Sequence, residues 1–110
     1  MKLSNAEDAI VELRKLEDYC LNPHHARGKH KARVFSSALG VTRSDARELR
    51  EHILEGVLDA DCMRGKSDAY GRRYIVDVPW QRKDRTATVR TVWIIKRKEA
   101  IPRLITCYVL

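Results

Sequence analysis

Apolar positions along this chain recur first at a helical period and then at a strand period, and the change divides the sequence in two. Ile10, Leu13 and Leu16 with Val11 follow Ser4 and Glu7, which have capping-box spacing, so residues 5–19 are expected to form an amphipathic helix. Asn22 and Pro23 stop it. In KHKARVFSSAL, Ala32, Phe35 and Leu39 share a face, with Lys29, Lys31 and Arg33 around its sides and Gly40 at the end, which predicts a short second helix. Thr42–Asp45 offers a third helix start, and Ala46, Leu49, Ile53, Leu54, Val57 and Leu58 continue the stripe to about Ala60.

Asp61–Gly71 has turn chemistry and little apolar content, so a loop is expected there. Beyond it the period shortens to two. Arg73–Val78 alternates Tyr74, Val76 and Val78 with Ile75 and Asp77; Thr86–Lys96 is a longer β-branched run, and Arg103–Val109 is a further one. Short connections at Gln81–Arg85 and Lys98–Pro102 imply an antiparallel meander. The predicted fold class is α+β, with three N-terminal helices covering one face of a β-meander of three to four strands, in a single domain over residues 1–110.

Composition narrows the class. Apolar residues make up 44% of the chain and charged ones 34%, the balance of a folded globular protein. No apolar run is long enough to span a membrane, and MKLSNAEDAIVEL lacks the basic start and apolar block of a secretory leader, so a cytoplasmic location and no membrane partner are expected. Cys20, Cys62 and Cys107 are an odd, widely spaced set without CxxC pairing, which argues against a disulfide framework or structural zinc.

The net charge of +7 is unevenly placed. Residues 1–20 and 36–70 are each acidic on balance, whereas 21–35 carry four lysines and arginines and no acid, and 71–110 carry ten against three acids. If those two basic segments meet, they form one anion-binding face; the alternative is that they are solvated strand edges. LNPHHARGKHKARVF also holds His24, His25 and His30. Histidine transfers protons near neutral pH, and lysine and arginine hold phosphate.

Arg90 is the second anomaly, a cation within the apolar run of the long strand that requires either a partner or a function. Asp77 offers a structural ion pair. Leu104, Thr106 and Tyr108 alternate onto one face of the last strand, which brings two hydroxyls within its reach instead.

These residues contain the parts for metal-independent RNA cleavage. His25 supplies an acid or base, Lys31 and Arg90 stabilise developing phosphorane charge, and Thr106 and Tyr108 orient phosphate or relay a proton. The opening amides of the helix near Gly28 add donors. His24, Lys29, His30 and Arg33 are expected to bind substrate. No metal or other cofactor is expected, because the histidines lack ligand spacing and no P-loop or serine-hydrolase motif is present. His52, flanked by Arg50 and Glu51, reads as an ordinary solvated residue.

The order LNPHHARGKHKARVF, YGRRYIVDVP, RTATVRTVWII and PRLITCYVL resembles a small bacterial domain family, itself similar to the barnase/EndoU/colicin/RelE-like ribonuclease superfamily. The motif positions fall on Leu21, Asn22, Pro23, His25, Gly28 and Lys31, then Arg85, Arg90, Val92 and Trp93, then Pro102, Arg103, Thr106 and Tyr108. Ala26 stands where the pattern has proline, and PWQRKDR is a shorter connection than in relatives. The resemblance singles out His25 among the histidines and adds Arg85 and Arg103 to the expected substrate-binding residues. It implies helices preceding an antiparallel sheet, RNA cleavage leaving a cyclic phosphate, and inhibition by a small acidic antitoxin. The expected function is therefore a toxin of a toxin–antitoxin pair acting as an endoribonuclease on an RNA substrate. The alternative is a non-catalytic module that grips nucleic acid or an acidic partner protein; a helix-turn-helix version is disfavoured by Glu48, Glu51 and Glu55 on the third helix.

Overall fold

A computed structural model describes residues 1–110. Its second half is a four-stranded antiparallel sheet in the order β1-β2-β3-β4, with β1 at Cys62–Asp68, β2 at Gly71–Arg82, β3 at Arg85–Lys96 and β4 at Arg103–Val109. The first half supplies α1 (Leu13–Lys15), which runs on as a π-helical turn over Leu16–Cys20, then α2 (Lys29–Leu39) and α3 (Ala46–Gly56). The α+β class and the order of helices before sheet follow the expectation.

Alternation decides which sheet face the helices cover. Val76, Val78 and Trp80 of β2 and Val89, Thr91, Trp93 and Ile95 of β3 are buried, while Ile75, Asp77, Arg90, Val92 and Ile94 between them are half-exposed. Phe35 and Leu39 of α2 and Leu49 and Ile53 of α3 close the core against Trp93 and its neighbours. The Trp93 indole donates to Thr91 Oγ1, which donates to the Val76 carbonyl, so the buried hydroxyl is satisfied in both directions.

The expected helix over residues 5–19 is broken. Asn5 takes a left-handed conformation (φ 55°), Ala6–Asp8 form one 3-10 turn without a side-chain cap, and Ile10 pairs in parallel with Arg103 at the open edge of β4. The Ile10 amide donates to Pro102 and the Leu104 amide to Ile10, so sheet pairing wins over helical propensity in this stretch. α2 matches its prediction and ends on left-handed Gly40. α3 begins after a capping box between Thr42 and Asp45. The expected loop at Asp61–Gly71 is instead mostly strand β1. This is an edge strand with six of its seven residues exposed, so its backbone pairs with β2 while its side chains carry no apolar alternation.

A further correction concerns β4. Pairing with β3 shifts between Val92/Thr106 and Trp93/Leu104, leaving Ile105 as an extra residue. Leu104 and Cys107 therefore point into the core, while Thr106 and Tyr108 lie on the other face with Arg90.

Arg82, only 9% exposed, ties the β2–β3 hairpin to the helices. Nε and Nη2 donate to the Glu48 carboxylate at 2.9 and 3.0 Å, and Nη1 donates to the Leu39 and Gly40 carbonyls at 3.0 Å each. Arg85 adds donors to the Ser36 and Ser37 carbonyls. Arg82→Ala leaves the Leu39 and Gly40 carbonyls without their donor and the half-exposed Glu48 without its partner, so it should lower unfolding free energy by about 2 kcal/mol in urea titration. The Arg82 hydrogen bond holds the Glu48 carboxyl below its usual range. Its stabilising share is thus complete above the unfolded carboxyl value, roughly pH 4.3, and disappears as pH falls through the lower folded value. Glu48→Gln should reduce the loss of stability measured on acidification below about pH 5.

Candidate functional site

The LNPHHARG stretch builds a pair of turns that deliver α2. Asn22 Oδ1 accepts from the His24 amide, and the Asn22 carbonyl accepts from the His25 amide. The His25 ring folds back so that Nδ1 accepts from the amides of both Arg27 and Gly28, at 3.0 Å each. The amides expected to greet an anion near Gly28 are thus already engaged. A ring whose Nδ1 accepts twice carries its proton on Nε2 when neutral, so His25 presents a donor outward.

Gly28 is required by a close approach. A Cβ at this position would stand 2.0 Å from the Tyr19 carbonyl oxygen, because the π-helical turn packs directly against it. That turn carries one residue more than an α-helical turn, seen in the Leu21 amide donating to Leu16, and it presents Tyr19 and Cys20 to α2 and β4.

Lys31, in the first turn of α2, is the centre of what results. Its ammonium donates to Tyr19 Oη and to Thr106 Oγ1, the latter at 2.9 Å, and lies 4.4 Å from the Tyr19 ring centre and 5.7 Å from that of Tyr108. Of its three N–H donors, two are used and one is left. His25 meets Tyr19 edge-on at 4.9 Å. On the sheet, Tyr108 sits opposite Arg90, whose guanidinium grips Asp77 through Nε at 2.8 Å and Nη2 at 2.9 Å. The Arg90 bond holds the Asp77 carboxyl below its ordinary range, and the carboxylate in turn raises Arg90. Arg90 therefore has the structural partner that Asp77 offered, and it also stands opposite Tyr108.

Behind Lys31 lies a buried thiol pair. Hydrogen bonding from Cys107 and Thr106, with the Lys31 charge nearby, draws the Cys20 thiol down to about 6, whereas its bond to Cys20 and burial push Cys107 well above its usual value. Thr106 Oγ1, which accepts from Lys31, stands 3.7 Å from Cys20 Sγ. Cys20 and Cys107 thus form a coupled thiol pair behind Lys31.

The structure thus gathers Lys31, Thr106, Tyr108 and Arg90, with His25 joined to them through Tyr19. Tyr19, Cys20 and Asp77 complete the cluster. Tyr19 was absent from the expected set, and the only hint of it is an amphipathic aromatic immediately before the Leu21–Pro23 motif. His24, Lys29, His30 and Arg33 are exposed or half-exposed along the approach to α2. Arg85 holds carbonyls at the far end of α2, and Arg103 pairs with Glu99, so both serve the fold. His52 stacks on Trp80 at 4.3 Å with Nε2 3.1 Å from the Pro79 carbonyl, rather than lying free in solvent. No group of three His, Cys, Asp or Glu side chains is arranged to hold a metal, and no helix is long and apolar enough to cross a membrane.

An antiparallel sheet whose β4 edge forms a basic, hydroxyl-rich cluster with one helix N-terminus defines the general class. The profile of DUF6883, described as a domain of unknown function, matches residues 2–110, and the chain belongs to that family. No curated protein and no solved structure matches it.

Gly28→Ala should force the π-helical turn away from α2 and disturb Lys31 with it. Overpacking of this kind costs about 1–3 kcal/mol. Thermal melting should show the loss, and an unchanged midpoint would contradict the close packing of Tyr19 on Gly28.

Proposed function

We propose that this chain is a metal-independent endoribonuclease that serves as the toxin of a bacterial toxin–antitoxin pair. The observation that carries the reading is Lys31, a half-buried ammonium held between two tyrosines and Thr106 with one donor left for a phosphate oxygen. Arg90 lies opposite Tyr108 on the neighbouring strand, its guanidinium already held by Asp77.

In this mechanism the substrate 2′-oxygen bonds to phosphorus and its proton passes to water. Lys31 and the outward Nε2–H of His25 stabilise the negative charge gathering on the phosphorane oxygens. The bond to the 5′-oxygen then breaks, leaving a 2′,3′-cyclic phosphate. Tyr19, whose oxygen accepts from Lys31, keeps its own proton to donate to the departing 5′-oxygen, and water restores it. The tautomer held by Arg27 and Gly28 makes His25 a neutral donor in this scheme. A small acidic antitoxin matches a face of this charge.

Purified protein should cut single-stranded RNA in the presence of a chelator, and Lys31→Ala should reduce kcat about 100-fold, as loss of a charge-stabilising donor does elsewhere. Expression without a partner should arrest growth, with the Lys31→Ala form tolerated. Equal toxicity of the two would dismiss the catalytic assignment. His25→Asn should lower kcat while the pH–rate profile keeps its shape, whereas loss of one limb would make His25 the proton-transfer group.

The engagement of His25 Nδ1 by two amides also favours a second reading, a binding module without catalysis, since it removes the expected side-chain base. RNA that stays intact while binding weakens steeply with salt would select it.

A further inference from the structure

On the other side of α2 from Lys31 lies a cavity of about 600 Å³ between that helix, the Leu21–Pro23 turn and the Thr42–Ser44 corner. Its walls carry Lys29, Arg33 and Arg43, four hydroxyl side chains and no carboxylate, over a patch formed by Pro23 and its apolar neighbours. The size is that of a nucleotide-binding cleft. The polar complement suits phosphate and ribose, because arginine and lysine take anionic oxygens while serines bond sugar hydroxyls.

The helix geometry makes this a separate place from the Lys31 cluster. Successive residues turn by about 100°, so Lys29 and Arg33 each lie about 160° around the helix from Lys31. Arg43 already donates to Asp18 at 2.9 Å and forms the rim. Lys29 and Arg33 have no acidic partner within 4.0 Å. They are like charges one turn apart, an arrangement that destabilises a helix, and Lys29 sits in the first turn, where the helix dipole also disfavours a cation. A phosphate between the two turns both repulsions into attractions. The exposed His30 crosses the crest from this cavity to Lys31.

We propose that this cavity binds a flanking nucleotide of a single-stranded RNA, with Lys29 and Arg33 on its phosphate and Ser36 and Ser44 toward its sugar, while the strand passes over the first turn of α2 to Lys31. The inference rests on the RNA reading above and adds a second contact point to it. It requires the protein to distinguish a strand long enough to reach both places from a dinucleotide that reaches only one.

The test uses fluorescence anisotropy of a labelled ten-nucleotide RNA on the Lys31→Ala protein, so that the strand stays intact. Adding K29E and R33E should weaken binding tenfold or more and lower the salt slope by about 0.7, the share of one single-strand phosphate. K29Q with R33Q should give a smaller loss in the same direction. Unchanged affinity and slope would overturn the proposal, as would an equal loss from R64E with K66E on the exposed strand β1, which would show only a general charge effect. Displacement of the RNA by low concentrations of a nucleoside monophosphate would identify a small-molecule site and equally overturn the strand assignment. In an otherwise wild-type chain, K29E/R33E should raise KM for a ten-nucleotide substrate by a larger factor than for a dinucleotide, and an equal rise for both would overturn the strand assignment. Binding that shifts as expected in a protein that cuts no RNA would keep the cavity and discard the nuclease.

Discussion

The buried guanidinium of Arg82 is the contact on which the arrangement of this domain depends. It comes from the tip of the β2–β3 hairpin and closes bonds to a carboxylate at the start of α3 and to two carbonyls at the end of α2. Hydrophobic packing alone allows a helix to slide over a sheet with little penalty, because apolar contact has no direction. A buried guanidinium does not, since each displaced bond leaves a desolvated polar group behind. Arg82 therefore fixes where α2 ends, and the length of α2, about 16 Å for its eleven residues, fixes where it begins.

The beginning of α2 is set a second time by the turns before it. Asn22, His25 and Gly28 spend their distinctive chemistry on backbone, through two accepting side chains and one missing Cβ. Much of the most conspicuous stretch in the sequence is thus a device for aiming Lys31 rather than a row of reactive groups. The bulge at Ile105 does the corresponding work on the sheet. By changing the phase of β4, it lets Leu104 and Cys107 fill the core while Thr106 and Tyr108 meet Lys31 and Arg90.

Legibility in the sequence followed the physics of each element. α2 and α3 were readable because each buries one stripe, β2 and β3 because each buries one face, and β4 as a β-branched run whose alternation the extra residue Ile105 interrupts. β1 was not, since an exposed edge strand is stabilised by backbone pairing that leaves no mark on side-chain choice. The first segment misled because Ile10, Val11 and Leu13 satisfy a helical period, while what decides their conformation is the unpaired edge of β4, far away in sequence. For the site, residue type revealed Lys31, Arg90, Thr106 and Tyr108, whose charge or hydroxyl stands out from an apolar setting. Tyr19 and Cys20 gave no such signal. Their position depends on a single extra residue in a π-helical turn, and no periodicity records it.

The first turn of α2 concentrates positive charge. It places Lys29, His30 and Lys31 together without a carboxylate, at the end of a helix whose dipole already favours negative charge. No carboxylate lies within 4.0 Å of Lys29 or Arg33, and Lys31 donates to the hydroxyls of Tyr19 and Thr106, which do not cancel its charge. An arrangement that is unfavourable in the empty protein becomes favourable when an anion arrives, so binding releases strain as well as forming contacts. Arg82 and Arg90, by contrast, are each neutralised by carboxylates. The chain thus pairs Arg82 and Arg90 with carboxylates and leaves Lys29 and Arg33 without one, and the proposal of a polyanionic strand rests on that contrast more than on the histidines.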